Sequence, residues 1–410
     1  MCYNGNKNVS GLAYNSCYLG EKRRMLGKYY TLPICVFAFI SFVSIALGNI
    51  TLGLATLFFL FYVKKHNIAV PEEYKGYFLA IAGFVVALLI SALFSGDIKL
   101  GLKTWADMRI WRMMPFVIII LSIHDSLSTK KVFGISMLGM CLGIACLIYQ
   151  GFSGDRRAAG FFGHPMTFAG YLCMYLPIFL VCFLDGKVFK KYNWLTGLAF
   201  FAGCAALVFN GTRGAWLAVL PVFGLILLFY ISQKNKAAIV CLALLVAAGF
   251  GLTYNKAFMA RVSTITSTKF QSNTERLLIW RSAYNMFLDH PVLGVGLGQY
   301  KDNYQKKYIS PKAKEPYITH AHNNFLQMLA ENGIVGFLGF VGMIGYFMYA
   351  SFVRFWKSHS PYALMLFSFT LSLSLQGLTE NNFGNSAVMK AFWLLLGCLL
   401  VLDYNYNTKD

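Results

Sequence analysis

Residues 76–95 read GYFLAIAGFVVALLISALFS, twenty consecutive positions without a charged side chain. At ~1.5 Å of rise per residue, a helix of that length spans about 30 Å, the thickness of a bilayer's hydrocarbon core. An open strand would leave backbone N–H and C=O groups unpaired in lipid, whereas a helix satisfies them internally. Comparable runs recur along the 410 residues and place helices near 31–48, 49–63, 76–95, 110–123, 132–151, 166–184, 194–209, 215–232, 237–253, 333–353, 362–378 and 387–403. Composition agrees: 57% of residues are hydrophobic and 13% charged, against about a quarter charged in soluble domains. The expected fold is all-α, a polytopic membrane bundle of about twelve transmembrane helices. Its parts are an N-terminal tail (1–30), nine helices (31–253), one large loop (254–332), three helices (333–403) and a C-terminal tail (404–410).

The first 30 residues are polar and basic and show no cleavable signal peptide. Of the ten cysteines, Cys35, Cys141, Cys146, Cys173, Cys182, Cys204, Cys241 and Cys398 lie in or beside apolar runs, and Cys2 and Cys17 in the basic N-terminus. Neither a disulfide framework nor a zinc spacing is expected. The formal net charge of +20 is spread over many short loops, which suits a protein facing anionic lipid; nucleic-acid binding is not expected.

Lysine-rich segments orient the bundle. With twelve spans both termini share a face, and that face collects EKRR at 21–24, Lys64, Lys65, Lys75, Lys130, Lys131, Lys187, Lys190, Lys191, Lys234, Lys236, Arg354 and Lys357. By the positive-inside rule it is cytoplasmic, so loops 96–109, 152–165, 210–214, 254–332 and 379–386 fall outside. Arginine breaks this pattern. Eight of eleven arginines (Arg109, Arg112, Arg156, Arg157, Arg213, Arg261, Arg276 and Arg281) lie on the outer side or its helix ends. A guanidinium is a permanently charged planar fork that grips phosphate or carboxylate oxygens in pairs, which lysine cannot do. The outer face therefore carries the signature of an anion-binding surface, set against headgroup snorkelling or pairing with Asp107, Asp155, Glu275 and Asp289.

Five segments have the residue types for chemistry. NGTRGAWLAVL (210–220) puts Arg213 in a very short turn beside hydrocarbon, where charge is costly and usually functional. NTERLLIWRSAYNMFLDHP (273–291) reads as an amphipathic helix offering Arg276 or Arg281, equally readable as a packed cover. ITHAHNNFLQMLAENGIVG (318–336) sets His320 and His322 ahead of an apolar run. Zinc on a helix prefers histidines four apart, and no nearby Cys or acidic cluster completes a metal site. A near-neutral histidine suits proton abstraction from a hydroxyl, or plain interfacial hydrogen bonding. DRRAAGFFGHPMTFAGYL (155–172) supplies Arg156, Arg157 and His164, lining a substrate path or merely solvated. TENNFGN (379–385) offers Glu380 and Asn381, to orient a histidine, contact sugar or form a polar turn. GVGLGQY (294–300) imitates a dinucleotide loop without the flanking strand and is set aside.

Taken together, TRGAW around Arg213, the R-x-x-x-W element at Arg276 and Trp280, and H-N-x9-G-x-x-G (His322, Asn323, Gly333, Gly336) resemble the O-antigen ligase family. That family sits within the ligase and polymerase superfamily of bacterial envelope polysaccharides, and the likeness spans residues 30–403 or so. The resemblance implies a GT-C-like bundle in the bacterial inner membrane, with a periplasmic active site and cytoplasmic termini. It implies metal-independent, cofactor-free, inverting transfer from an undecaprenyl-pyrophosphate glycan to a sugar hydroxyl of lipid A–core. Arg213 and Arg276 would bind the pyrophosphate and His322 would be the general base. Arg156, Arg157, His164, Arg281, His320, Asn323, Glu380 and Asn381 are the further candidates for substrate contact. Related readings are repeat-unit polymerisation and transfer to protein hydroxyls; the single long outer loop and the chain's stop at Asp410, soon after the last helix, favour ligation. A lipid-linked sugar flippase would need ionisable residues at mid-helix, where charge is scarce.

Overall fold

The computed structural model describes residues 31–408 apart from 67, 124, 156, 266, 268 and 269, and says nothing of the Arg109 side chain. Its elements are α1 (Thr31–Ile40), α2 (Ile45–Lys65), α3 (Lys75–Leu93), α4 (Ile98–Trp105), α5 (Met114–Ser122), α6 (Ser126–Phe152), α7 (Pro165–Asp185) and α8 (Asn193–Asn210). They continue as α9 (Arg213–Ser232), α10 (Lys236–Thr253), α11 (Lys256–Ser263), α12 (Gln271–Asp289), α13 (Tyr300–Asn303), α14 (Asn324–Ser358), α15 (Pro361–Gln376) and α16 (Ser386–Asn407). No strand occurs among the described residues.

Nine of these helices are long and apolar enough to cross a membrane, three fewer than expected from the sequence. The shortfall is α1, α5 and α15, each of which is helical but short. The first expected helix, 31–48, stops at Ile40, because Ser44 turns extended (φ −150°, ψ 129°) and its hydroxyl accepts the N–H of Leu47 to start α2. The fourth, expected over 110–123, is only nine residues long. A π-helical turn over Ala106–Trp111 precedes it, and Pro115 sits in its first turn, where a missing N–H costs nothing.

Two helices form the centre. Helices α7 and α16 are 94% buried over their spanning windows, as expected of helices apolar on every side. Around them, Phe116, Phe340, Phe347, Phe383, Phe392 and Trp393 pack ring against ring. By contrast α10 is 11% buried and presents nearly all its surface outward.

The largest departure is α14. The sequence suggests a helix from 333, but the helix starts at Asn324, so about a quarter of it lies inside the segment read as loop. Asn323 is its N-cap: the Oδ1 accepts the N–H groups of Phe325 and Leu326. At Gly333 the helix breaks, with φ 58° and ψ −158°, a backbone region open essentially to glycine alone. The break exposes carbonyls that residues 291–296 then satisfy. Val295 N–H donates to Ala330 O at 2.9 Å and Gly296 N–H to Glu331 O at 3.0 Å, while Pro291 O accepts Ile334 N–H at 2.8 Å. GVGLGQY is therefore a strap docked on a broken helix, its glycines serving close approach. A second small core of Ile279, Met286, Tyr300, Tyr304, Ile318 and Ala330 lies beneath it.

A cleft of arginines beside a histidine–glutamate pair

The links between helix ends define the site. Asn210 Nδ2 holds the carbonyls of Ala158 and Pro165, Arg261 Nε donates to Gly211 O, and Arg213 reaches Thr264 and Asn273. Asn324 bonds Asn382, and Arg112 donates to Gly384 O. Segments 96–112, 152–165, 210–213, 254–323 and 377–385 thus gather at one end of the bundle. Between them lies a narrow cleft of about 30 Å³. Arg157, Arg213, Arg261 and Arg276 line it, with Glu380 as the one acidic lining residue.

Arg213 opens α9 directly after Thr212, its side chain buried against Thr264, Phe270 and Asn273. Its Nη1 donates to Thr264 O (2.5 Å) and Oγ1 (2.9 Å), its Nη2 to Asn273 Oδ1 (2.9 Å), and its plane lies 4.8 Å from the Phe270 ring centroid. Asn273 Nδ2 in turn holds the carbonyls of Thr264, Ile265 and Ser267. Arg276 projects from α12 toward Glu380, Nη2 to Oε2 being 3.8 Å. The helix buries Glu275, Ile279, Ser282, Ala283 and Met286. Glu275 does not pair with an arginine; it accepts the backbone N–H groups of Lys314 and Glu315. Partial burial first, and then the charge of Arg276, lower the pKa of Arg261. For Arg157 the causes are burial, then Arg261 and Arg276. A crowd of guanidinium groups in a partly dry cleft is poised to take an anion.

Beside the cleft stand the histidines. His322 has φ 49°, a left-handed conformation unusual for a residue with a side chain. Its backbone N–H donates to His320 Nδ1 (3.2 Å), and the two rings meet at 4.2 Å, steeply tilted. On the other side His322 Nδ1 lies 3.2 Å from Glu380 Oε1, a partner 58 residues away. Burial alone would raise the Glu380 pKa, but the hydrogen bond from His322 and the charges of His322, His320 and Arg276 hold it at about 2. An ionised carboxylate only accepts, so Nδ1 of His322 carries a hydrogen toward Glu380. Burial, with His322, His164 and Arg276 nearby, lowers His320 to about 4, so it is a neutral acceptor at pH 7.

His320, His322 and Glu380 bring one ligand atom each within 4.8 Å. This corrects the expectation that no acid completes a metal-like set near these histidines. The surroundings oppose a divalent cation: Glu380 already faces Arg276, and at 4 Å each unit-charge pair contributes about 4 kcal/mol at an effective dielectric of ~20.

The other candidates separate clearly. Arg157 lines the cleft, and His164 is near enough to influence His320. Asn323 is spent on capping α14 and on Leu378 O, and Asn381 accepts Gly384 N–H within its own turn. Arg281 is exposed on α12 and does not line the cleft. Arg156 lies outside the described residues. Arg261 was not among the site candidates; its only signal was its membership of the outward arginines. Among the other outward charges, Arg112 pairs with Asp107 at 2.9 Å and Asp289 with Lys307 at 2.7 Å.

Fold and cleft together give a helical membrane protein with an arginine-lined cleft beside a histidine–glutamate pair. The O-antigen ligase family model matches residues 198–341, a stretch holding Arg213, Arg261, Arg276 and His322. Over that stretch the chain is similar to the O-antigen ligase family. Members of this family are glycosyltransferase-like enzymes of envelope polysaccharide synthesis. No curated protein matches the chain.

Proposed function

We propose that the protein is an O-antigen ligase: it moves a polysaccharide from undecaprenyl pyrophosphate to a sugar hydroxyl of lipid A–core at the periplasmic face of the inner membrane. The observation that carries this reading is the His322–Glu380 pair standing beside an arginine-lined cleft. The donor's pyrophosphate would lie among the arginines, including Arg213 and Arg276. His322 Nε2 would take the acceptor's hydroxyl proton while that oxygen attacks the anomeric carbon from the face opposite the phosphate. As the new C–O bond forms, the C–O bond to phosphate breaks and its electron pair stays on the leaving pyrophosphate. Fixed guanidinium groups stabilise that growing charge without reorganising. The proton passes from His322 to solvent, and the anomeric configuration inverts. Glu380 orients the ring and stabilises the imidazolium as it forms. A double-displacement route needs a carboxylate nucleophile at the anomeric carbon; Glu380, the one acid in the cleft lining, is engaged by His322 and Arg276.

The test is reconstitution in proteoliposomes with an undecaprenyl-pyrophosphate glycan and three competing acceptors: lipid A–core, a second donor molecule and a serine-containing peptide. Ligation predicts product on lipid A–core alone. Chain growth on the second donor would make the protein a polymerase, and product on the peptide a protein glycosyltransferase.

A further inference from the structure

Lys390 stands one turn into α16 and is only 3% exposed. A charge buried beside hydrocarbon is costly and is ordinarily kept for a use. An ammonium has three N–H donors. Among the described residues its one acceptor is the neutral Oδ1 of Asn49 on α2, and no carboxylate pairs with it. Arg112 and Asp107 are near enough for their charges to act on it. Arg112 is itself buried, giving Nη1 to Gly384 O (2.8 Å) and Nη2 to Asp107 Oδ2 (2.9 Å), while its buried Nε has no hydrogen-bond partner. Two buried cations therefore share a single acid, and the Asp107 side chain is mostly exposed. Such a surplus costs free energy until an anion joins it.

The place of the pair says which anion. Asn49 is exposed, and so are Leu47, Ile50 and Leu54 along the same apolar spanning helix, so this side of α2 faces lipid. Asn49 and Lys390 each lie four residues past their helix starts, Ile45 and Ser386. That is roughly 6 Å along each axis, a depth at which a lysine amine reaches headgroup phosphates. Neither Lys390 nor Arg112 lines the arginine cleft, although Gly384, the acceptor for Arg112, is four residues from Glu380. We infer that Lys390 and Arg112 form a second site, which binds the phosphate of a membrane lipid entering from the α2 side. The phosphate oxygens take the two ammonium hydrogens that Asn49 leaves over and the Nε hydrogen of Arg112. Asp107 opposes an anion, but it is already paired with Nη2 and is screened by water. The site needs no particular donor or reaction, so it stands apart from the ligase reading.

The experiment titrates the full chain, delipidated in a neutral detergent, with phosphatidylglycerol, diphosphoryl lipid A, phosphate-free diacylglycerol and inorganic phosphate. Native mass spectrometry counts bound lipid, and melting temperature is followed in parallel. Lys390→Met is compared with Lys357→Met, which removes an exposed lysine at the other end of the bundle. Both phosphate-bearing lipids should bind the wild type, with diacylglycerol and inorganic phosphate far weaker. Loss of the charge-assisted hydrogen bonds in Lys390→Met should weaken the lipids about tenfold or more, and Lys357→Met should leave them unchanged. Lipid-free Lys390→Met should melt at or above the wild-type temperature, because an unpaired buried charge gives way to an apolar chain of similar size. A lower melting temperature there would make Lys390 a structural link to Asn49 and overturn the inference. Unchanged lipid affinity in Lys390→Met would overturn it as well, as would equal binding of diacylglycerol. Inorganic phosphate binding as tightly as the lipids would overturn the lipid source in favour of a soluble anion.

Discussion

In the proposed mechanism Glu380 is the residue that sets the roles of its neighbours. It fixes the tautomer of His322 through Oε1 and competes for Arg276 through Oε2, an oxygen that is buried without a hydrogen-bond partner. Glu380→Gln keeps the shape but removes the charge that holds Nδ1–H in place. Its kcat should fall by about a hundredfold, within the 10²–10⁴ typical of a general base. The donor KM should stay level or drop, since Arg276 loses its competitor; steady-state kinetics against donor concentration separate the two. His320 carries a second expectation. Its pKa falls from 6.5 in the ordinary state to about 4 in the fold. Between those values the unfolded chain binds a proton that the folded chain refuses, so His320 makes stability decline as pH falls from 6.5 toward 4. The contribution is at most about 3 kcal/mol. Thermal unfolding of His320→Asn across that window should show a shallower decline than the wild type. At this scale the sequence was informative about types: a histidine ahead of a helix and arginines where topology disfavours them. It could not show that Glu380 meets His322 across 58 positions, because that contact depends on how α14 and the 377–385 turn pack.

Among the elements, α14 decides the geometry. Its early start at Asn324 carries His322 to the helix mouth, and its break at Gly333 seats the 291–296 strap. A Cβ at Gly333 would stand 2.3 Å from the carbonyl carbon and oxygen of Val292, on top of an unfavourable φ. Gly333→Ala should therefore destabilise the protein by about 1–3 kcal/mol or more. Melting temperature in detergent and protease sensitivity of 290–323 should both register it. The early start had a sequence signal, an asparagine just before FLQML. It was outweighed by Gln327, Glu331 and Asn332, which look like loop residues and are in fact buried. The short α5 was harder to foresee: 110–123 is apolar enough to read as a span, and the π turn before it comes from tertiary contacts such as Arg112 with Asp107 and Gly384.

For the molecule as a whole, the all-helical membrane class was legible from apolar run length alone, because lipid leaves a backbone so few options. Helix number was less so, since an apolar run does not show where its helix stops, and α1, α5 and α15 are each shorter than their runs suggest. Buried charge near helix ends was also hidden: Lys390 on α16 is buried with its amine on Asn49, and Arg354 pairs with Asp403 at 3.0 Å. One consequence reaches across the whole site. The proposed mechanism stabilises charge through arginine, so treatment with EDTA should leave the initial rate unchanged, and a loss restored by added magnesium or zinc would contradict it. The most direct measurement is the single-turnover transfer rate to lipid A–core in EDTA-treated proteoliposomes, wild type against His322→Ala. The account predicts folded, membrane-inserted His322→Ala with donor affinity intact and a rate lower by about 10²–10⁴-fold. Transfer at the wild-type rate in that variant would contradict it.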